Sequence, residues 1–480
     1  MDQKTSNYVL SASMVYPFNS ARVMIRRLTP SLHSFTMQSR VVPPHTLPGA
    51  CHFHMDQFVI SGGLPLRGVI RPAGNKNAAL PLLAACLLTD QPVVLHNVPV
   101  IGDVLTMRNL IEGLGVSIES VDKHSWRIHA ESIVSRTPDA ALCRLIRASI
   151  LLAGPMLARQ GQLQLAPPGG DIIGRRRLDT HMLALKSLGA RIHVNGDFEI
   201  SADRLHGADI LLDETSVTAT ENTIMAAVLA SGITTLRNAA SEPHVQELCR
   251  FLNARGARIN GIGSNALTIK GVSSLQGGEH TIGPDYLEVV SYIGAAAVTG
   301  GEIRIERAGP EHLHMVEIAF KRLGVRWQVE GEDILVPAEQ SLRVIPDLGE
   351  AIPKVDDAPW PGFPADLMSI AIVIATQCAG TVLFHEKLFE SRLYFVDKLA
   401  GMGARIIVCD PHRCIVQGPN TLQSETLESP DIRAGMAMLI AALCARGASV
   451  IRNISQIERG YEGIEEKLRG LGAQIERTDG

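Results

Sequence analysis

An amphipathic stretch closed by an apolar residue or Arg, then Gly-Ala/Val-x-apolar, recurs six times along the chain. The copies read Leu114-Gly115-Val116-Ser117-Ile118, Leu188-Gly189-Ala190-Arg191-Ile192, Arg255-Gly256-Ala257-Arg258-Ile259, Leu323-Gly324-Val325-Arg326-Trp327, Met402-Gly403-Ala404-Arg405-Ile406 and Leu471-Gly472-Ala473-Gln474-Ile475. Successive glycines lie 74, 67, 68, 79 and 69 residues apart, a near-constant period that governs the expected fold. Glycine after the last apolar turn ends a helix, because it takes positive φ without a Cβ clash. The alternation that follows reads as a strand. Upstream of most copies lies a second, more apolar helix, such as Glu221–Ala230, ending at Gly232 and followed by a strand at Ile233–Arg237. Each unit is therefore helix, strand, helix, strand, with at least one further short strand between units. One helix per unit is apolar all round and reads as buried; the other has a charged face, as over Tyr461–Leu468. Six units exclude a closed eightfold barrel. Two α/β groups of three, helices inside and sheets outside, fit the pattern.

Length and composition narrow the class. At roughly 100–200 residues per domain, 480 residues predict two to four domains. Hydrophobic residues at 46% and charged at 20% exclude global disorder. Only 4% aromatics beside 43 Gly favours a glycine-punctuated α/β chain over an all-β sandwich. A net charge of −4 gives no reason to expect nucleic-acid binding. No apolar run reaches about 18 residues, so no membrane helix is predicted. The eight cysteines form no C-x-x-C, which reads as reduced cytosolic thiols and no zinc site. Residues 1–54 are set apart: no acid stands between Asp2 and Asp56, while Lys4, Arg22, Arg26, Arg27 and Arg40 are basic. That composition resembles a transit peptide; the preferred reading is a disordered or mis-assigned extension before a domain beginning at Met55.

Chemistry-bearing positions fall at segment ends. Gly261-Ile-Gly263-Ser-Asn-Ala266 fits a dinucleotide fingerprint, but the strand-like Leu267–Lys270 follows it, so it reads as a hairpin turn. Lys76 and Asn77 sit where a helix begins after Gly74-Asn75, a place that favours an anion. Pro167 to Arg177 combines two prolines, three glycines, Asp171 and the run Arg175, Arg176, Arg177, suited to presenting charge to phosphate. Arg147 leads an apolar helix and should face an anion or a carboxylate. Later come Phe363-Pro-Ala-Asp366, Phe389-Glu390-Ser391-Arg392, Asp431-Ile-Arg433-Ala and Glu458-Arg459-Gly460-Tyr461-Glu462, each with an acid or Arg at a loop–helix junction. Asp366 and Asp431 read equally well as helix N-caps. The chemical reading is a ring of cations around an anionic substrate, with one carboxylate as base.

Taken in order, these segments resemble those of the UDP-N-acetylglucosamine 1-carboxyvinyltransferase family of enolpyruvyl transferases, over Met55 to about Arg477. The resemblance implies a two-domain inside-out α/β barrel, three βαβαββ repeats per domain. One domain would be 55–75 plus 284–480 and the other 76–283, with the active site in the cleft. It implies addition of the sugar 3′-hydroxyl to phosphoenolpyruvate and then loss of phosphate, in the cytoplasm, by a monomer without metal or cofactor, for peptidoglycan synthesis and thus cell shape and division. Asp366 would be the general base and Asp171 the acid for C3. Lys76, Arg176 and Arg459 would grip phosphoenolpyruvate, and Asn77 and Arg147 the nucleotide sugar. Asp431, Arg433 and Arg392 would support that cluster. Arg175–Arg177, Ser216 and Val217 match the stretch beside uridine and diphosphate, and Leu388 an apolar contact to uracil. Most members carry Cys where Asp171 stands, which implies weaker activity at alkaline pH and insensitivity to the thiol alkylator fosfomycin. Arg177, Glu214, Thr218 and Trp360 also depart from the usual pattern and bear on the acceptor. The sister 5-enolpyruvylshikimate-3-phosphate synthases expect Lys-Ser where Lys76-Asn77 stands. An enzyme using another uridine nucleotide and a non-catalytic UDP-sugar-binding paralogue are the remaining alternatives.

Overall fold

The computed structural model describes residues 56–171 and 173–479. The basic extension over 1–54 lies outside the described residues, as does Cys51. Gly115, Gly189, Gly256, Gly324, Gly403 and Gly472 all take positive φ, between 75° and 102°. Each follows a short helix (Gly102–Gly113, Asp179–Ser187, Pro243–Asn253, His314–Arg322, Val396–Gly401 and Ile464–Gly470) and leads into an outer strand. The repeat phrase is thus a helix stop joined to a strand start, used six times.

The described residues form six sheets, five of four strands and one of three. Each turns one face inward: Ala266–Lys270 buries Leu267 and Ile269 and exposes the residues between. Gly261 to Asn265 is the turn of the hairpin joining Arg258–Asn260 to that strand. Inside lie the apolar helices. Met368–Gln377 is buried from Met368 to Thr376, and Ile432–Cys444 from Ile432 to Leu443. These two pack with Tyr286–Thr299. A second trio is formed around Lys76–Ala85, the 3-10 turn Arg147–Leu152 with helix Ala153–Gln160, and Val217–Ala227.

Two hydrophobic cores result. One draws on Phe58 to Ile70 together with Tyr286 to Ile475, the other on Ala78 to Ile282. The first strand, Gln57–Ser61, lies between Ala448–Arg452 and Gln474–Thr478, pairing Phe58 with Ile451 and Arg477. The chain passes between the cores at two adjacent places, where Gly74 bridges Pro284. There Asn75 N–H donates to Gly283 O at 2.8 Å, and Asp285 N–H to Ala73 O at 2.9 Å. A Cβ on Gly74 would lie 1.8 Å from Asn97 O, so only glycine fits. Asn75 and Asp285 then cap the two helices that follow, Lys76–Ala85 and Tyr286–Thr299.

Three expected elements differ. The helix expected at Glu221–Ala230 spans Val217–Ala227. Ser216 caps it, and Thr220 and Thr223 bond back to the carbonyls four residues earlier, so a Thr-rich first turn stays helical. Arg147 leads a 3-10 turn before the α-helix begins at Ala153. The helix expected from Tyr461 starts at Ile464, because Tyr461 is drawn into the core and Gly463 takes a left-handed conformation.

Candidate active site

Between the two cores lies a cavity of about 490 Å³, walled by residues of both. Lys76 enters it from the first position of its helix and is buried. Its Nζ meets Asp103 Oδ2 at 2.6 Å. Asp103 stands in the first turn of Gly102–Gly113, and its Oδ1 accepts from Arg459 Nε at 2.8 Å. Arg459, from the other half, donates through Nη1 to Asp171 Oδ1 at 2.5 Å. Lys76, Asp103, Arg459 and Asp171 thus form a continuous chain of alternating charge across the cleft. Burial lowers the Lys76 ammonium below its ordinary value despite Asp103. Burial would raise Asp103, but Lys76 and Arg459 hold its carboxyl below the usual range.

Asp366 occupies the 3-10 turn Ala365–Leu367 on the opposite wall. Its two oxygens accept from Arg392 Nη2 and, at 3.2 Å, from Arg433 Nε. Burial pushes its carboxyl up, but Arg392, Arg433 and Lys76 together hold it well below the ordinary carboxylate value, so it stays ionised. Arg433 is fixed from behind: its Nη1 donates to the Tyr461 hydroxyl at 3.2 Å, and that hydroxyl lies 3.1 Å from Ser291 Oγ. Arg392 lies over the Phe389 ring, 5.4 Å from its centroid.

The Gly-rich loop closes one side of the cavity. A Cβ on Gly169 would stand 1.6 Å from Arg144 O, so the loop must hug residues 144–147 through glycine. Ser391 N–H donates to Ile173 O, and Arg175 N–H to Glu390 Oε2, each at 3.2 Å, tying the loop to the other half. Arg147 meets no carboxylate among the described residues: its Nη2 donates to the backbone carbonyls of Arg176 and Arg177, at 2.7 and 3.1 Å. The loop's own oxygens serve as its acceptors, and burial lowers its guanidinium to about 10. Among the described residues, Arg176 lines the cavity with no carboxylate within salt-bridge distance. Burial lowers it, partly offset by Asp171 and Asp366.

The remaining expected residues divide. Asn77, Arg175, Ser216, Val217 and Leu388 line the same cavity. Arg177 lines it too, but its guanidinium engages Asp179 and Asp213 near the surface. Asp431 is not among the cavity walls: its Oδ1 caps Ile432–Cys444 by accepting from Arg433 N–H and Ala434 N–H. It bears on the cavity only through Arg433.

Sequence reasoning missed Asp103, which reads locally as an ordinary acid in a helix's first turn. It also missed Glu242 and His244, which line the cavity near Trp360 and Tyr286. Burial raises Glu242 and lowers His244 to about 4, so this corner carries less charge than its residue types suggest. A buried network backs the Thr218 position: Asn222 Nδ2 donates to Ile150 O at 2.8 Å and lies 2.9 Å from His181 Nδ1, and His181 Nε2 lies 3.0 Å from Thr218 Oγ1.

Known proteins place this architecture. The family model described as EPSP synthase (3-phosphoshikimate 1-carboxyvinyltransferase) matches residues 60–468. The UDP-N-acetylglucosamine 1-carboxyvinyltransferase of Treponema denticola is 56% identical over 422 residues, covering 88% of this chain and 99% of that protein. That of Bradyrhizobium diazoefficiens is 57% identical, covering 88% and 98%. The crystal structure of the enolpyruvyl transferase NikO from Streptomyces tendae superposes with a TM-score of 0.79 at 24% identity, over 89% of this chain and all of that one. A family model spanning most of the repeats, together with relatives more than half identical along nearly their whole length, shows that the chain belongs to the EPSP synthase family of carboxyvinyl transferases and, within it, to the UDP-N-acetylglucosamine 1-carboxyvinyltransferases.

Proposed function

We propose that the protein transfers the enolpyruvyl group of phosphoenolpyruvate to the 3′-hydroxyl of UDP-N-acetylglucosamine. The observation that carries this is the convergence of Lys76, Arg176, Arg392, Arg433 and Arg459 on one cavity around the ionised Asp366. Both substrates are polyanions, and such a site can desolvate them only by supplying several fixed cations at once. The phosphate and carboxylate of phosphoenolpyruvate compete with Asp171 for Arg459 and engage Arg176 and Lys76, which Asp103 keeps charged. Asn77, Arg147, the Arg175–Arg177 run, Ser216, Val217 and Leu388 attend the nucleotide sugar.

In the addition step Asp366 takes the proton of the 3′-hydroxyl, the sugar oxygen bonds to C2, and Asp171 delivers a proton to C3. In the elimination step the bond from C2 to the phosphate oxygen breaks. Phosphate leaves with the proton that Asp366 took, and C3 returns its proton to Asp171, restoring the double bond. The incoming phosphate supplies Asp171 with the proton it delivers. The residues 55–75 with 284–480 act as one hinged domain and 76–283 as the other, turning about the paired crossings at Gly74 and Pro284. The product would feed peptidoglycan precursor synthesis in the cytoplasm, made by a monomer.

A phosphate-release assay tests this with phosphoenolpyruvate and three acceptors: UDP-N-acetylglucosamine, UMP and shikimate 3-phosphate. Release with the first alone is expected. Release with either of the others and none with the first overturns the acceptor, and binding without any release makes the protein a non-catalytic sugar-nucleotide binder.

A further inference from the structure

Behind the Asp366 wall two carboxyl groups face each other, and among the described residues no cation pairs with either. The strands Lys354–Asp356 and Gly380–His385 run parallel, pairing Asp356 with His385. Asp357 and Glu386 are the next residues on each strand. Both are fully buried, and their side chains lie within hydrogen-bonding reach of one another. Asp357 is already satisfied by backbone: Oδ1 accepts from Lys387 N–H at 2.5 Å and Oδ2 from Leu388 N–H at 3.2 Å. Neither oxygen of Glu386 meets a donor among the described residues. Two buried carboxylates cannot both stay ionised at such a distance, and a proton between them satisfies both. Since Asp357 holds two N–H donors, the proton belongs to Glu386.

The pair sits at the root of both wall segments. From Asp357 the chain runs through Trp360 to Asp366; from Glu386 it runs through Leu388 to Arg392, and Arg392 is the partner of Asp366. The charged groups around the pair are few. Arg392 and Asp366 act on Glu386 from the cleft side. Lys354 and Lys387 are engaged by Asp356 on the exposed side. His412 meets Glu386 only through its backbone.

We propose that Glu386 is a positioning residue that works as a neutral acid, its proton shared with Asp357, locking the Leu388–Arg392 segment against the Asp366 segment. Removing that proton sets two buried carboxylates against each other and frees the Lys387 and Leu388 amides, so Arg392 loses its aim at Asp366. Burial, then Asp357, raises the Glu386 carboxyl to about 9, so the lock opens in the alkaline range.

Infrared titration of the full-length protein and Glu386→Gln tests this. The wild type should show a protonated-carboxyl stretch at neutral pH that disappears as pH rises through about 9, and the Gln variant should lack that component. In parallel, UDP-N-acetylglucosamine affinity should fall about tenfold between pH 7 and pH 10 in the wild type, the worth of one charge-assisted hydrogen bond, and stay within about twofold in Glu386→Gln. Should Glu386→Gln not fold, Asp357→Asn replaces the facing carboxylate with an amide donor and should lower the pH at which the same band disappears. A band unchanged by these substitutions, or an equal alkaline loss of affinity in wild type and Gln variant, overturns the proposal. Only the affinity readout rests on the function proposed above: failure to bind the nucleotide sugar at any pH counts against that function, while the infrared result still decides the protonation of Glu386.

Discussion

Asp103→Asn isolates the one link of the charge chain that touches both Lys76 and Arg459. Its carboxylate and the Lys76 side chain are each only 8% exposed. Removing one partner of a buried ion pair leaves the other charge uncompensated, at about 3–5 kcal/mol. Here Asp171 still attracts Lys76 and still holds Arg459, so a stability loss near the bottom of that range, about 3 kcal/mol, is expected. The effect on substrate is more specific. Burial already lowers the Lys76 ammonium, and Asp103 is the main force opposing it. Without it, Lys76 gives up its proton at lower pH and with it the proposed hold on phosphoenolpyruvate. At neutral pH KM for phosphoenolpyruvate should rise about 10- to 100-fold, the equivalent of one charge-assisted hydrogen bond at about 1.5–3 kcal/mol. KM for the nucleotide sugar should stay within about threefold, since nothing in the Asp103 contacts reaches the Ser216–Val217 side. Steady-state kinetics across pH, beside chemical denaturation, read both effects. An unchanged KM for phosphoenolpyruvate, or an equal loss for both substrates at every pH, would refute the reasoning.

Other outcomes follow from the same contacts. Asp366→Asn removes the proposed proton acceptor and should lower kcat by about 10²–10⁴-fold with little change in KM for phosphoenolpyruvate, measured by phosphate release. Fosfomycin should leave the wild type active and unlabelled, whereas Asp171→Cys should become covalently modified; mass spectrometry showing rapid labelling of Asp171 would contradict this. Asn222→Ala strips donors and an acceptor from the buried Ile150–Gly154–His181 network and should cost about 3 kcal/mol in chemical denaturation. Folding holds Asp103 and Asp366 below their ordinary value of 3.8. Their stabilisation is therefore complete above that pH and lost as pH falls through the lower folded values. Acid unfolding of Asp366→Asn should accordingly depend less steeply on pH than that of the wild type.

The helix-stopping glycines were legible because each repeat solves its local problem alone: a positive-φ residue must follow the last turn, whatever the tertiary contacts. The same holds for Asn75-Lys76-Asn77, where cap and helix start are adjacent in the chain. Asp103 was illegible because its role is made by partners 27 and 356 residues away. Asp431 shows the converse: sequence leaves cap and cluster member open, and in the structure its Oδ1 accepts from two backbone N–H groups. A half-buried Arg147 needs a partner, but nothing in the sequence says that backbone carbonyls 29 and 30 residues on would supply it. The start of Val217–Ala227 was misplaced because a Thr-rich turn looks poor in helix propensity until its hydroxyls are seen bonding back along the helix.

The most direct measurement is mass spectrometry of UDP-N-acetylglucosamine incubated with phosphoenolpyruvate and the protein in heavy water. Addition followed by elimination makes C3 a methyl group for one step, so solvent hydrogen must enter it. The expected product is a nucleotide sugar bearing an enolpyruvyl group with deuterium on its vinyl carbon, formed with one phosphate per product. An unmodified nucleotide sugar, or an enolpyruvyl product free of deuterium, would contradict it.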